Sequence, residues 1–163
     1  MELFTAYAHG PGGRGFFRIT ENMMTLPGEG DQAEVARVAT HESGHYLEYH
    51  LPGAYRAARE FLDYRLKGEK PSKLADKFPD YGYRDDETGR KDEFDKALSE
   101  QQAYYAGKKY NGATEIISMG IERFAHNPAT FAQQDPEYCK FILGILDGSL
   151  RGGGEDESEI ELR

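Results

Sequence analysis

His41-Glu42-Ser43-Gly44-His45 sets two histidines four residues apart, with a glutamate directly after the first. On a helix, positions i and i+4 share one face about a turn apart, so both imidazoles can reach one metal ion. Glu42 projects about 100° round the helix from His41, close enough to meet a water on that metal without being a ligand itself. Zinc lowers the pKa of a bound water to about 7, and a neighbouring carboxylate can then take its proton at neutral pH. H-E-x-x-H on a helix is the pattern expected of a zinc-dependent peptidase core. Five letters also arise by chance, so the surrounding elements must carry the argument.

Residues 31–50 read as one helix, with Asp31 as N-cap and Glu34 three positions later in a capping-box-like start. No proline interrupts it before Pro52, where it must end. Ala36, Ala39, Thr40 and Ser43 form a small-residue face that lets another element pack closely. Gly44 extends that allowance to the site itself.

A catalytic zinc takes three protein ligands and keeps one position open. A third histidine ten residues after the first is absent, because position 51 is Leu and no glycine lies between Tyr46 and Glu48. His50 reads as a surface residue near the helix end, while His9 sits in a glycine-rich turn and His126 follows a helix end. A carboxylate is the expected third ligand. Glu115 is the best placed, in the first turn of an otherwise apolar helix over 112–125. It shares a face with Ser118, Met119 and Glu122, opposite a core stripe of Ile117, Ile121 and Phe124. The competing reading makes Glu115 a helix-dipole partner only. Glu122 lies two turns on and can orient a histidine through its other ring nitrogen, as can Glu48. Peptide hydrolysis also needs a group to stabilise the oxyanion, and Tyr110 and Tyr105 are the candidates.

The rest of the chain supplies the frame. Residues 2–8 and 15–20 read as strands around the turn cluster 9–14, giving a hairpin that Met23–Leu26 can extend. The strand at 15–19 is a candidate edge for an extended peptide substrate. A second helix covers 54–67. Residues 68–111 are rich in Gly, Pro, Asp, Lys and Tyr, and 81–86 and 104–110 read there as short strands or ordered loops. Asn127-Pro128 starts a short helical turn, and Asp135-Pro136 caps a last helix that Gly148 ends. The expectation is one α+β domain over 1–150 with a flexible acidic tail over 151–163.

Composition narrows the class. A single cysteine, Cys139, excludes a disulfide framework and a cysteine-rich zinc site, which fits a reducing, cytoplasmic setting. A net charge of −9 disfavours nucleic acid as a partner. No signal peptide and no membrane-spanning run is present, so a soluble protein is expected.

His-Glu-Ser-Gly-His at 41–45 and Thr-Glu-Ile-Ile-Ser-Met-Gly-Ile-Glu-Arg-Phe at 114–124 together resemble the two ligand helices of the gluzincins. The nearest in style are the anthrax-lethal-factor-like peptidases. That resemblance implies a zincin-like fold, zinc held by His41, His45 and Glu115, Glu42 as general base, and Tyr110 as the transition-state tyrosine. The chain is also similar, over 33–147, to bacterial and prophage-encoded proteins with a zincin signature. The implied function is a metallopeptidase acting on a protein or peptide. The alternatives are a zinc-stabilised interaction or phage-structural module, and a helical adaptor in which the motif is accidental.

Overall fold

The structure, a computed structural model, describes residues 15–28, 31–92, 97–109 and 112–150, together with the backbone of 5–9. It is α+β: seven helices, a three-stranded sheet and a two-stranded ribbon among the described residues.

The first sheet holds β1 (Thr5–His9), β2 (Phe16–Arg18) and β3 (Met23–Pro27), ordered β1-β3-β2. The expected hairpin between the first two strands does not form. β3 lies between them, parallel to β1 (Thr5 opposite Met23) and antiparallel to β2 (Phe16 opposite Thr25). The hairpin is instead β2–β3, turned by a 3-10 segment at Ile19–Glu21 and by Asn22 at φ 47°. Asparagine is one of the few non-glycine residues that tolerates that left-handed conformation. Met24 and Thr25 are buried, so β3 fills the middle of the sheet and β2 is left at an edge.

α1 (Gln32–His50) begins where expected, with Asp31 Oδ1 accepting the Ala33 N–H at 3.2 Å. Glu34 does not reach back to the cap. It turns to Arg37, one turn on, whose guanidinium holds it at 2.7 and 2.9 Å. The sheet packs across α1 through β3 and β2, with Phe17 edge-on to Tyr46 at 5.6 Å between centroids.

α2 (Ala54–Arg65) starts after Gly53 and ends two residues earlier than the sequence suggested. Its buried face is Ala54, Ala58, Leu62 and Arg65, while Phe61 is only partly covered. α5 (Ile116–His126), α6 (Pro128–Gln134) and α7 (Pro136–Asp147) complete the helical half. Asn127 and Asp135 cap the last two, accepting the N–H groups of Thr130 and Tyr138 at 3.0 Å each. Gly148 closes α7 at φ 87°, a conformation open to glycine at little cost. Ile116, Ile117, Phe131, Tyr138, Phe141, Ile142 and Ile145 join the α2 residues in one core. Ile121 and Phe124 pack at its margin, so the stripe on α5 is centred one residue earlier than expected.

A buried guanidinium ties this half together. Arg65 bonds Asp92 at 2.8 Å and Asp135 at 2.7 Å, and its cation lies over the Phe61 and Tyr138 rings. Asp135 thus caps α7 with one oxygen and holds α2 with the other.

The segment 68–111 is more ordered than its composition suggested. β4 (Ser72–Lys73) pairs antiparallel with β5 (Thr88–Gly89), flanking the short α3 (Leu74–Lys77) and a 3-10 turn at Pro79–Tyr81. The expected strand or loop at 104–110 is corrected over Tyr104–Ala106, which are helical; Gly107–Lys109 form a turn and a single bridge to Gly89, and Tyr110 lies outside the described residues. α4 (Glu100–Ala106) is started by a full capping box, in which Ser99 Oγ accepts the Gln102 N–H and Gln102 accepts the Ser99 N–H. No helix among the described residues is long and apolar enough to cross a membrane. The expected tail at 151–163 lies outside the described residues.

Candidate metal centre

α1 and α5 cross at the motif, and Gly44 sets how close they come. A Cβ at position 44 would lie 2.3 Å from Ser118 Cα and 2.8 Å from Ser118 N. Those are backbone atoms, so only a residue without a side chain permits this approach. The expected role of Gly44 is met.

The approach brings three donors together. Glu115 is the residue immediately before α5 and is fully buried. Its Oε2 lies 3.1 Å from His41 Nε2 and 3.5 Å from His45 Nε2. Ser118 donates its hydroxyl to the same oxygen at 3.1 Å, which fixes the carboxylate's orientation. One atom from each of His41, His45 and Glu115 lies within 4.8 Å of the others, forming a possible metal-binding group. Ligand atoms about 2.05 Å from a tetrahedral zinc stand about 3.3 Å apart, so both separations to Glu115 fit such an edge. Two neutral imidazoles and one carboxylate are also a donor set suited to zinc.

Electrostatics agree with mutual attraction in this cluster. Burial opposes charge on His41, but the Glu115 and Glu122 carboxylates outweigh it and raise the imidazole to about 9. Burial likewise opposes charge on His45, and Glu115 and Glu48 raise it to about 10. Burial favours the neutral form of Glu115, yet the two imidazoles hold its carboxyl well below the usual range. A divalent cation competes with protons for the same lone pairs. His45 Nδ1 is buried without a hydrogen-bond partner among the described residues.

The groups around the donors divide between the helices. His41 Nδ1 lies 3.1 Å from Glu122 Oε2, as the spacing on α5 suggested. Glu48 behaves differently: its carboxylate is 3.9 Å from His45 Nδ1 and instead accepts the Thr114 N–H at 3.0 Å and hydroxyl at 2.5 Å. It therefore holds the residue next to Glu115 by hydrogen bonds and acts on the histidine by its charge across the longer gap. His50 is not a plain surface residue, since it is half-buried against Tyr46 and 3.2 Å from Asn22 Oδ1. His126 is exposed, and the His9 side chain lies outside the described residues.

Glu42 is buried beside the donors, and burial raises its carboxyl above the usual value despite the nearby imidazoles and the Phe17 backbone N–H. Two cavities of about 480 and 440 Å³ open on either side of it and share Gly15, His41, Glu42 and Tyr105. The larger one also reaches Phe17, Lys108 and Glu115, and the smaller one Arg37, Tyr83 and Gln101. A cleft thus runs past the donors under strand β2.

Tyr110 lies outside the described residues, and Tyr105 is the tyrosine that α4 places at the cleft, its ring centroid 6.4 Å from that of His41. The buried Lys108 lines the same cavity, paired with Glu87 at 2.5 Å, its ammonium 5.5 Å from the Tyr105 ring. Three participants went unread in the sequence: Thr114, Arg37 and Lys108. An (i, i+3) Glu34–Arg37 pair is visible on a helical wheel, but nothing local marks the other two.

Comparison with known proteins adds no relative: the chain matches no family model, no curated protein and no solved structure.

Proposed function

We propose that this chain is a zinc-dependent peptidase of the zincin type, with His41, His45 and Glu115 as ligands and Glu42 as general base. The observation that carries the reading is the convergence of His41 Nε2 and His45 Nε2 on one buried carboxylate oxygen, at 3.1 and 3.5 Å, beside a glutamate that bonds neither. When bound, zinc supplies a Lewis acid that polarises the scissile carbonyl and acidifies water.

The chain's own groups do the rest. Glu42, buried and raised above its usual pKa, accepts a proton from the attacking water and returns it to the leaving amine. Tyr105 stands at the cleft as donor to the developing oxyanion, the role first open to Tyr110 or Tyr105. β2 pairs with β3 on one side only among the described residues, so its other edge can accept an extended polypeptide above Glu42. A protein or peptide is thus the substrate class.

The test has two arms. Purified protein should carry about one equivalent of zinc, and His41→Ala/His45→Ala should carry none. Wild type should cleave an unfolded-protein mixture, whereas Glu42→Gln should keep zinc and lose cleavage. Zinc without cleavage in the wild type would favour a non-catalytic, zinc-stabilised module. The burial and raised carboxyl of Glu42 favour the catalytic reading over that one, because a structural zinc site needs no such group.

A further inference from the structure

His41 presents its two ring nitrogens to two different carboxylates of the α5 region. Nε2 faces Glu115 and Nδ1 faces Glu122 Oε2, each at 3.1 Å. The other oxygen of Glu122 accepts from Arg37 Nη1 at 3.0 Å. Arg37 in turn holds Glu34 through Nε and Nη2 at 2.9 and 2.7 Å. Glu122 therefore takes a donor at each end: a guanidinium on Oε1 and an imidazole on Oε2.

We propose that Glu122 and Arg37 are positioning residues for the metal centre. Glu122 keeps the proton of His41 on Nδ1, which leaves the Nε2 lone pair for a metal, and Arg37 holds Glu122 in that orientation. The inference rests on reading His41, His45 and Glu115 as the ligand set. A hydrogen bond on the far nitrogen of a ligating histidine fixes both its tautomer and its ring angle. The contact is not a major support of the fold. Arg37 and Glu122 keep 48% and 24% of their side chains exposed, and pairs of that kind contribute little to stability.

Amide chemistry separates this role from a merely structural one. Glu122→Gln keeps the shape of the side chain but leaves it one oxygen and one NH₂. Arg37 can only donate, so it claims the oxygen and turns the NH₂ toward His41. A donor there requires the Nδ1 lone pair, which moves the imidazole proton to Nε2 and blocks ligation. Arg37→Met removes the competing donors, and the amide introduced by Glu122→Gln can then turn its oxygen back to Nδ1. The two substitutions should therefore compensate each other.

The experiment measures zinc affinity by chelator competition on the full chain for wild type, Glu122→Gln, Arg37→Met and the double variant, with thermal unfolding of each in chelator. Glu122→Gln should bind zinc about 10–100-fold more weakly. Arg37→Met alone should lose less, and the double variant should bind more tightly than Glu122→Gln. The proposal is overturned if Glu122→Gln stays within about twofold of wild type, or if the double variant is no tighter than Glu122→Gln. A Glu122→Gln chain that does not fold overturns it as well, since the pair would then be structural. A wild type that binds no zinc removes the ligand set itself, a distinct failure.

Discussion

Gly44→Ala tests the geometry most directly, because one methyl group separates fold stability from site assembly. The added Cβ would stand 2.3 Å from Ser118 Cα, 2.8 Å from its N and 3.0 Å from its Cβ. Carbon atoms rest comfortably about 3.5–4.0 Å apart, so α1 and α5 must part locally by about 1 Å. Overpacking of that kind costs about 1–3 kcal/mol. Replacing a mid-helix glycine by alanine returns about 1 kcal/mol of helix propensity. The metal-free protein should therefore lose only about 0–2 kcal/mol. The ligand set has no such compensation, since His41 and His45 ride on α1 while Glu115 rides at the start of α5. Metal–ligand distances tolerate about 0.2 Å, so binding must force the helices back against the methyl. If the strain of about 1–3 kcal/mol is borne there, zinc affinity falls about 5–150-fold. Chelator competition reads the affinity, and thermal unfolding in chelator reads the fold. Ser43→Ala, whose hydroxyl bonds back to the Ala39 carbonyl of its own helix, is the control and should change neither. Zinc affinity of Gly44→Ala within about twofold of wild type would refute the reasoning, because the strain would then not reach the ligands.

Zinc binding at pH 7.5 should release about two protons from His41 and His45, since both are raised to about 9 and about 10, against about 0.2 for imidazoles at 6.5. Titration calorimetry in buffers of different ionisation enthalpy measures the number, with up to one further proton from water on the metal. The same raised values stabilise the metal-free fold fully below about pH 6.5, and that contribution is lost as pH rises through about 9–10. Its Tm should fall across that window, and Glu115→Gln should flatten the fall. Arg65→Leu leaves Asp92 and Asp135 buried without their cation and should cost about 3–5 kcal/mol, seen as a shifted denaturation midpoint. Tyr105→Phe should lower kcat about 10²–10³-fold with zinc content unchanged; an unchanged kcat would release Tyr105 from the oxyanion role.

The parts of this molecule that were legible in the sequence are those fixed by local chemistry. Asp31 and Asp135 announce helix starts because a short acceptor side chain satisfies an N–H two or three residues on. The two histidines were legible because helical periodicity sets His41 against His45, and Glu115 stood out as a carboxylate at the start of an otherwise apolar helix. The pairing of β1 with β3 was not, because a strand order depends on which edge is free rather than on any turn between neighbours. α4 hid behind Tyr104-Tyr105, whose preference for strands competes with the Ser99–Gln102 capping box that wins. Only half of what Glu48 does was legible: its spacing from His45 is visible on α1, whereas Thr114 reaches it across sixty-six residues of chain.

That last contact has a use in tracing distant kin. Glu48 binds the residue beside the third donor, and Glu122 binds the first, so each helix carries a carboxylate addressed to the other. The pair amounts to a longer fingerprint than five letters: H-E-x-x-H-x-x-E in one segment and T-E-x-x-S-x-x-x-E in another. Gly44 and Ser118 mark the crossing point within it. A chain that carries both halves, however different elsewhere, has the means to close the same seam.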